Sequence, residues 1–132
     1  MTWLLDTHAF LWLISSPERI PARLVAELAA PETELLVSAA SAMEIATKVR
    51  IGKLTEAAAL VEPARWARDL KRIGARVAPL TGEQCLLGGS LAWANRDPFD
   101  RLIAAQALDL ALPLATRDPA FADIVGLDLR WA

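Results

Sequence analysis

Four acids offer this chain its most specific chemistry: Asp6, Glu44, Asp100 and Asp118. Asp6 follows the short apolar run Trp3 to Leu5, and Glu44 follows the run Leu35 to Val37. Asp100 opens the segment before Pro113 to Thr116, and Asp118 comes just after it. If those runs are strands of one parallel sheet, all four acids can converge on one end. Clustered carboxylates repel and should not be assembled without a cation. Hard cations such as Mg²⁺ and Mn²⁺ take oxygen ligands, so the pattern points to a metal site of that kind. Each acid also has an ordinary structural use. Asp6, Asp97 and Asp118 suit helix N-caps, and Asp100 suits the positive end of a helix dipole. Ser41-Ala42-Met43-Glu44 matches a capping box, and Glu44 sits four residues before Lys48, as in a surface ion pair.

Other chemistries find little support. His8 is the only histidine, so no histidine cluster can bind zinc. The single Cys85 excludes an internal disulfide, and its neighbours Leu86 and Leu87 suggest a buried, inert thiol. No Gly-x-Ser-x-Gly elbow occurs, and Gly88-Gly89-Ser90 is not followed by the Gly-Lys-Ser/Thr of a phosphate loop. An aspartyl-phosphate mechanism at Asp6 would call for a second aspartate two residues on, where His8 stands.

The elements that must position the acids alternate between strand-like and helix-like. Trp3 to Leu5, Leu35 to Val37, Arg76 to Pro79, Pro113 to Thr116 and Leu127 to Trp131 read as strands. Between them, helices are expected over Thr7 to Ile14, Pro21 to Ala30, Ser38 or Ser41 to Ile51, Leu60 to Ile73, Thr81 to Gly88 and Pro98 to Ala111, with another short one after Asp118. Gly88-Gly89 is expected to loosen the chain that follows. This order predicts an α/β fold, with right-handed crossovers and a mainly parallel central sheet of about five strands. Such sheets carry their ligands at the carboxyl ends of the strands. Asp100 shares a helix face with Ile103, Ala104 and Ala107, at the edge of the inward stripe. The stripe Ala42, Ile45, Ala46, Val49 points away from Glu44.

The bulk properties agree with one enzyme-sized domain over residues 1–132. A chain of 132 residues closes one core without staples. The net charge of −2 counts against a simple electrostatic nucleic-acid coater. No stretch approaches the roughly 20 apolar residues of a membrane span. Asp6 and His8 interrupt the apolar start, which also lacks the basic region of a signal peptide. A soluble, cytoplasmic protein is expected.

The chain resembles PIN-domain proteins, and among them the VapC-like toxins. The resemblance rests on Leu-Leu-Asp-Thr-His-Ala-Phe-Leu-Trp at 4–12, Val-Ser-Ala-Ala-Ser-Ala-Met-Glu-Ile-Ala at 37–46 and Lys-Val-Arg-Ile-Gly-Lys-Leu at 48–54. It continues in Arg-Asp-Pro-Phe-Asp-Arg-Leu-Ile-Ala-Ala-Gln-Ala at 96–107 and Leu-Pro-Leu-Ala-Thr-Arg-Asp-Pro-Ala-Phe at 112–121. It implies a PIN-like α/β/α sandwich with Asp6, Glu44, Asp100 and Asp118 as catalytic, metal-ligating acids. Asp97 matches an extra acid of one subgroup and ranks below them. Thr7, His8 and Thr116 are expected to line the site.

The resemblance also implies one or two Mg²⁺ or Mn²⁺ ions and hydrolysis of RNA phosphodiester bonds. Arg96, Arg101, Arg117, Arg50 and Lys53 are candidates for phosphate contact, since guanidinium groups suit bidentate recognition. VapC-like proteins form homodimers and are silenced by a small antitoxin whose peptide blocks the site. Phe10, Trp12 and Leu13 of the first helix are candidates for its groove. The rival reading is a catalytically silent PIN-like module that binds RNA or protein. The presence of all four acids speaks against it.

Overall fold

The computed structural model describes residues 1–132. Five strands form one wholly parallel sheet: β1 (Thr2–Leu5), β2 (Glu34–Ser38), β3 (Ala75–Ala78), β4 (Leu114–Ala115) and β5 (Leu129–Arg130). Their spatial order is β3-β2-β1-β4-β5. The chain therefore grows outward from β1 in one direction, then returns to fill the other side. That reversal puts the switch point between β1 and β4, where a parallel sheet opens a crevice at its carboxyl edge. Asp6 and Thr116 leave the sheet at that crevice.

Six α-helices complete the layers: α1 (Thr7–Ser15), α2 (Ala22–Leu28), α3 (Ala39–Arg50), α4 (Pro63–Arg72), α5 (Gly82–Ser90) and α6 (Pro98–Asp109). Short 3-10 turns occupy Pro17–Arg19, Thr55–Val61 and Pro119–Asp123. The expected helix beginning at Leu60 starts at Pro63 instead, because Pro favours the first helical position. The segment before it tightens into the 3-10 turn Thr55–Val61. No helix is long and apolar enough to cross a membrane.

The strand β1 is buried on both faces, as a central parallel strand must be. Trp3 and Leu5 point into one core with Phe10, Leu24, Leu35, Val37 and Ile45. Leu4 points into the other with Ile103, Ala104, Ala107, Leu114 and Phe121. Each such large side chain contributes about 1.5–3 kcal/mol by leaving water. The two cores clamp β1 and so fix the height at which Asp6 emerges.

The helix α5 departs from expectation. Gly88-Gly89 does not loosen the chain, since the helix runs through both to Ser90. Thr81 and Gln84 form a reciprocal capping box at its start. Gly88 is there for proximity: a Cβ on it would lie 3.1 Å from the backbone oxygen of Arg101 on α6. The buried face of α5 is Gln84 and Gly88, one helical turn apart. Cys85, expected to be buried, is therefore exposed together with Leu86 and Leu87. Gln106, fully buried on α6, donates to the carbonyls of Ala78 and Pro79 and to Gln84, tying the end of β3 to both helices.

Gly88→Val should destabilise the fold by about 1–3 kcal/mol, because the α6 backbone cannot easily retreat. Gly89 faces open space, so Gly89→Ala should stabilise by about 0.5 kcal/mol through helix propensity. Urea denaturation of the two variants checks the contrast.

Candidate active site: an acidic cleft at the sheet edge

A cleft of about 200 Å³ opens at the carboxyl edge. Its walls are Asp6, Thr7, His8, Glu44, Lys48, Asp97, Asp100 and Asp118, with no apolar lining residue. All five sequence-nominated acids thus meet in one place, together with Thr7 and His8. The single addition is Lys48.

Asp6 is placed by the turn from β1 into α1. It is the N-cap of α1, and its Oδ1 accepts from the Ala9 amide at 2.7 Å. Its Oδ2 accepts a short hydrogen bond from the hydroxyl of Thr116, which leaves β4 next door. The Asp6 amide donates to the Ala115 carbonyl at 3.1 Å, so backbone and side chain are pinned to the same neighbour. Burial pushes the Asp6 carboxyl upward, against the lowering pull of Thr116, the Ala9 amide and His8. Thr116 also accepts from the Asp118 amide at 3.1 Å and sets the start of the next turn. Asp118 caps that turn through the Ala120 amide and stands exposed at the cleft rim.

Glu44 is only 3% exposed, so its pair with Lys48 is no ordinary surface ion pair. Glu44 accepts from the Thr7 hydroxyl and from the Lys48 ammonium. Burial works against the charge on Lys48, but the bond to Glu44 and the nearby Glu44, Asp97 and Asp100 outweigh it and raise its pKa. The helix cap lies at Ser38, through the Ala40 amide, and not at Ser41. Ser41 is instead fully buried and shares a hydrogen bond of 2.8 Å with Thr7. The apolar stripe misled about Glu44 because α3 buries a second, polar side. Ser41 and Glu44 are exposed to Thr7 there rather than to water.

Asp97 caps α6, its Oδ1 accepting from the amides of Phe99 and Asp100. Asp100 is held by Asn95, whose amide nitrogen donates to Oδ2 at 3.0 Å. Burial pushes Asp100 up to about 6, and the charges of Asp97, Glu44 and Asp118 push the same way. Asn95 pulls it down, but not enough. Sequence reasoning did not single out Lys48, Ser41 or Asn95 as site residues. The spacing from Glu44 to Lys48 was the one available signal, and it read as surface decoration.

Five carboxylates facing one ammonium make an oxygen-rich, electronegative pocket, the donor chemistry of a hard divalent cation. No three acidic or histidine side chains close into a ready-made cage. Asp6, Glu44 and Asp100, the innermost acids of the cleft, could each offer an oxygen to such an ion.

None of the five cations expected to meet phosphate lines this cleft. Arg101 is committed elsewhere. Its guanidinium donates to the carbonyls of Gly88, Trp93, Asn95 and Leu91, at 2.8, 3.0, 2.7 and 2.6 Å. It holds the loop before α6 and is a structural residue, which corrects its assignment as a phosphate contact. Arg117 lies over the ring of Trp12 at 5.9 Å. Arg96, Arg50 and Lys53 are exposed.

Two outcomes follow from this geometry. Arg101→Ala should cost about 3 kcal/mol of stability, since buried carbonyls lose a charged donor. A phosphate-binding role alone would leave the urea midpoint unchanged. The Asp100 carboxyl titrates near 6 in the fold against an ordinary 3.8, so between those values the native state holds more protons than the unfolded chain. Its contribution favours the fold below 3.8 and fades as pH rises through 6. In EDTA, the wild-type urea midpoint should therefore fall from pH 5 to pH 7.5 more steeply than that of Asp100→Asn.

The chain matches the family model of the PIN domain over residues 3–127. No curated protein sequence matches it significantly. Among solved structures it is similar to a chain of VapBC2 from Rickettsia felis bound to a DNA fragment from their promoter, at TM-score 0.71 and 19% identity over 100% of both chains. It is also similar to a chain of VapBC-1 from nontypeable Haemophilus influenzae, at TM-score 0.65 and 22% identity over 98% of this chain and 97% of that one. A chain of FitAcB from Neisseria gonorrhoeae gives TM-score 0.59 and 21% identity over 98% and 96%. At these identities the likeness is one of fold. The family match, spanning nearly the whole chain and every acid of the cleft, establishes that this protein belongs to the PIN-domain family.

Proposed function

We propose that this protein is a metal-dependent endoribonuclease, the toxin of a toxin–antitoxin pair of the VapBC kind. The carrying observation is the acidic cleft, which gathers Asp6, Glu44, Asp97, Asp100 and Asp118 around about 200 Å³ at the sheet's switch point. A structural module has no use for so much like charge in one place. A divalent ion bound there supplies Lewis-acid activation of water and stabilises charge on the departing oxygen of a phosphodiester.

The chain's own residues do the positioning. Thr116 and the Ala9 amide lock Asp6, while Asn95 orients Asp100. Thr7 and Lys48 hold Glu44, and Lys48 leaves one positive charge where a phosphate oxygen would approach. Asp118 at the rim suits a water-orienting role. No protein group is needed as general base, and the lone His8 lines the cleft.

The antitoxin is supported by the company the fold keeps, since the solved structures named above include toxin–antitoxin complexes. An antitoxin segment laid over the acidic cleft would shut off both ion and substrate. The homodimer expected of this family would find apolar surface at the exposed Leu86 and Leu87 of α5.

Purified, antitoxin-free protein should cleave RNA with Mg²⁺ or Mn²⁺ and not with EDTA. Asp6→Asn, Glu44→Gln and Asp100→Asn should each lower the rate by at least about a hundredfold while the protein stays folded. A fully active Asp6→Asn protein would overturn the site. A folded wild type that binds RNA and metal but never cleaves would favour the silent binding module.

A further inference from the structure

A second, larger cavity of about 540 Å³ lies beside the acidic cleft. It runs between α1, the 3-10 turn Thr55–Val61 and α4, and His8 stands in the wall of both cavities. Its chemistry is opposite to that of the cleft. Arg19, Lys53, Arg65 and Arg72 line it, against Glu56 and Asp69. Arg19 and Lys53 are exposed, and no salt bridge engages either of them. Trp12 adds a half-buried ring.

Asp69 explains how the arginines are arrayed. It is 2% exposed, and three guanidinium groups of its own helix, from Arg65, Arg68 and Arg72, surround it at 3.1, 3.7 and 3.5 Å. Arg72 also donates to the Ile14 carbonyl at 2.7 Å, fastening the fan to α1. One buried carboxylate thus orders three partly exposed cations and leaves the group net positive. The side chains of Arg65, Arg68 and Arg72 remain 43%, 65% and 55% exposed, so they have room for a further anionic partner.

We infer that this groove is the track for the single-stranded RNA flanking the scissile bond. Lys53, Arg19, Arg65 and Arg72 grip its phosphates, Trp12 seats the Arg19 guanidinium, which lies 5.4 Å from its ring centroid, and Asp69 acts as the positioning residue of the arginine fan. The inference rests on the proposed ribonuclease function and adds to it the path of the substrate. An acidic cleft alone repels RNA. A basic groove sharing the His8 wall supplies the attraction that the cleft lacks, and guides the strand into it. A groove of cationic side chains that tracks the backbone suits sequence-tolerant single-strand binding.

The test separates binding from cleavage by working in the Asp6→Asn background. A fluorescent oligouridylate of roughly twelve nucleotides is titrated by anisotropy at several salt concentrations. Adding Arg19→Glu and Lys53→Glu should weaken affinity at least tenfold and flatten the salt dependence by about two phosphate contacts. Arg23→Glu, on the exposed side of α2, should do neither. Asp69→Asn should weaken binding without removing a cation, an effect that bare charge counting does not give. Unchanged affinity in the Arg19→Glu/Lys53→Glu protein, with RNA still bound and cleaved by the wild type, would overturn the track and leave the groove as a protein-docking surface. No RNA binding by any version would overturn both the track and the ribonuclease.

Discussion

Asp6 sits beneath the surface at the end of β1, held by the Ala9 amide on one oxygen and the Thr116 hydroxyl on the other. The rest of the site is arranged around that buried carboxylate. It can be there only because β1 is clamped between two apolar cores and because β4 ends beside it at the switch point. Burial raises the cost of its charge, and every further acid brought nearby raises the cost again. The chain meets that cost in different ways at each acid. Glu44 has a lysine and a threonine, Asp97 has helix amides, and Asp100 has one asparagine and a carboxyl pushed up to about 6. Asp100 is the least compensated, so a cation entering the cleft gains most there.

The two cavities divide the electrostatic work. The cleft concentrates negative charge, and the neighbouring groove presents arginine and lysine. His8 marks the border. A net charge of −2 hides this division, because it sums over both regions. Charge balance over a whole chain therefore says little about the charge that any one site presents.

Much of the fold is legible in the residues. Alternating strand and helix signals, the Pro and Gly stops and the placing of acids after strands led to a parallel five-stranded sheet with its acids at one edge. What escaped was pairwise and three-dimensional. Glu44 lies off the apolar stripe of α3, yet it is buried, because Thr7 and Ser41 make a polar interior that hydrophobic periodicity cannot register. Arg101 stands one residue after a cleft acid and looked available for phosphate. Its four carbonyl partners come from a loop and the end of α5, which no local pattern brings together. Cys85 looked buried beside two leucines, but the close approach of Gly88 to α6 turned that face of α5 outward. The arginine fan around Asp69 has i+3 and i+4 spacings that read equally well as a solvated helix face.

The claim on which all of this depends is that the uncompensated carboxylates await a divalent cation. Calorimetric titration of the antitoxin-free protein with Mn²⁺ at about pH 6, in buffers of different ionisation enthalpy, tests it directly, since a cation must displace any proton that Asp100 carries. Binding with release of a fraction of a proton, reduced in Asp100→Asn, is the expected result. No binding, or binding indifferent to both buffer and Asp100, would contradict it.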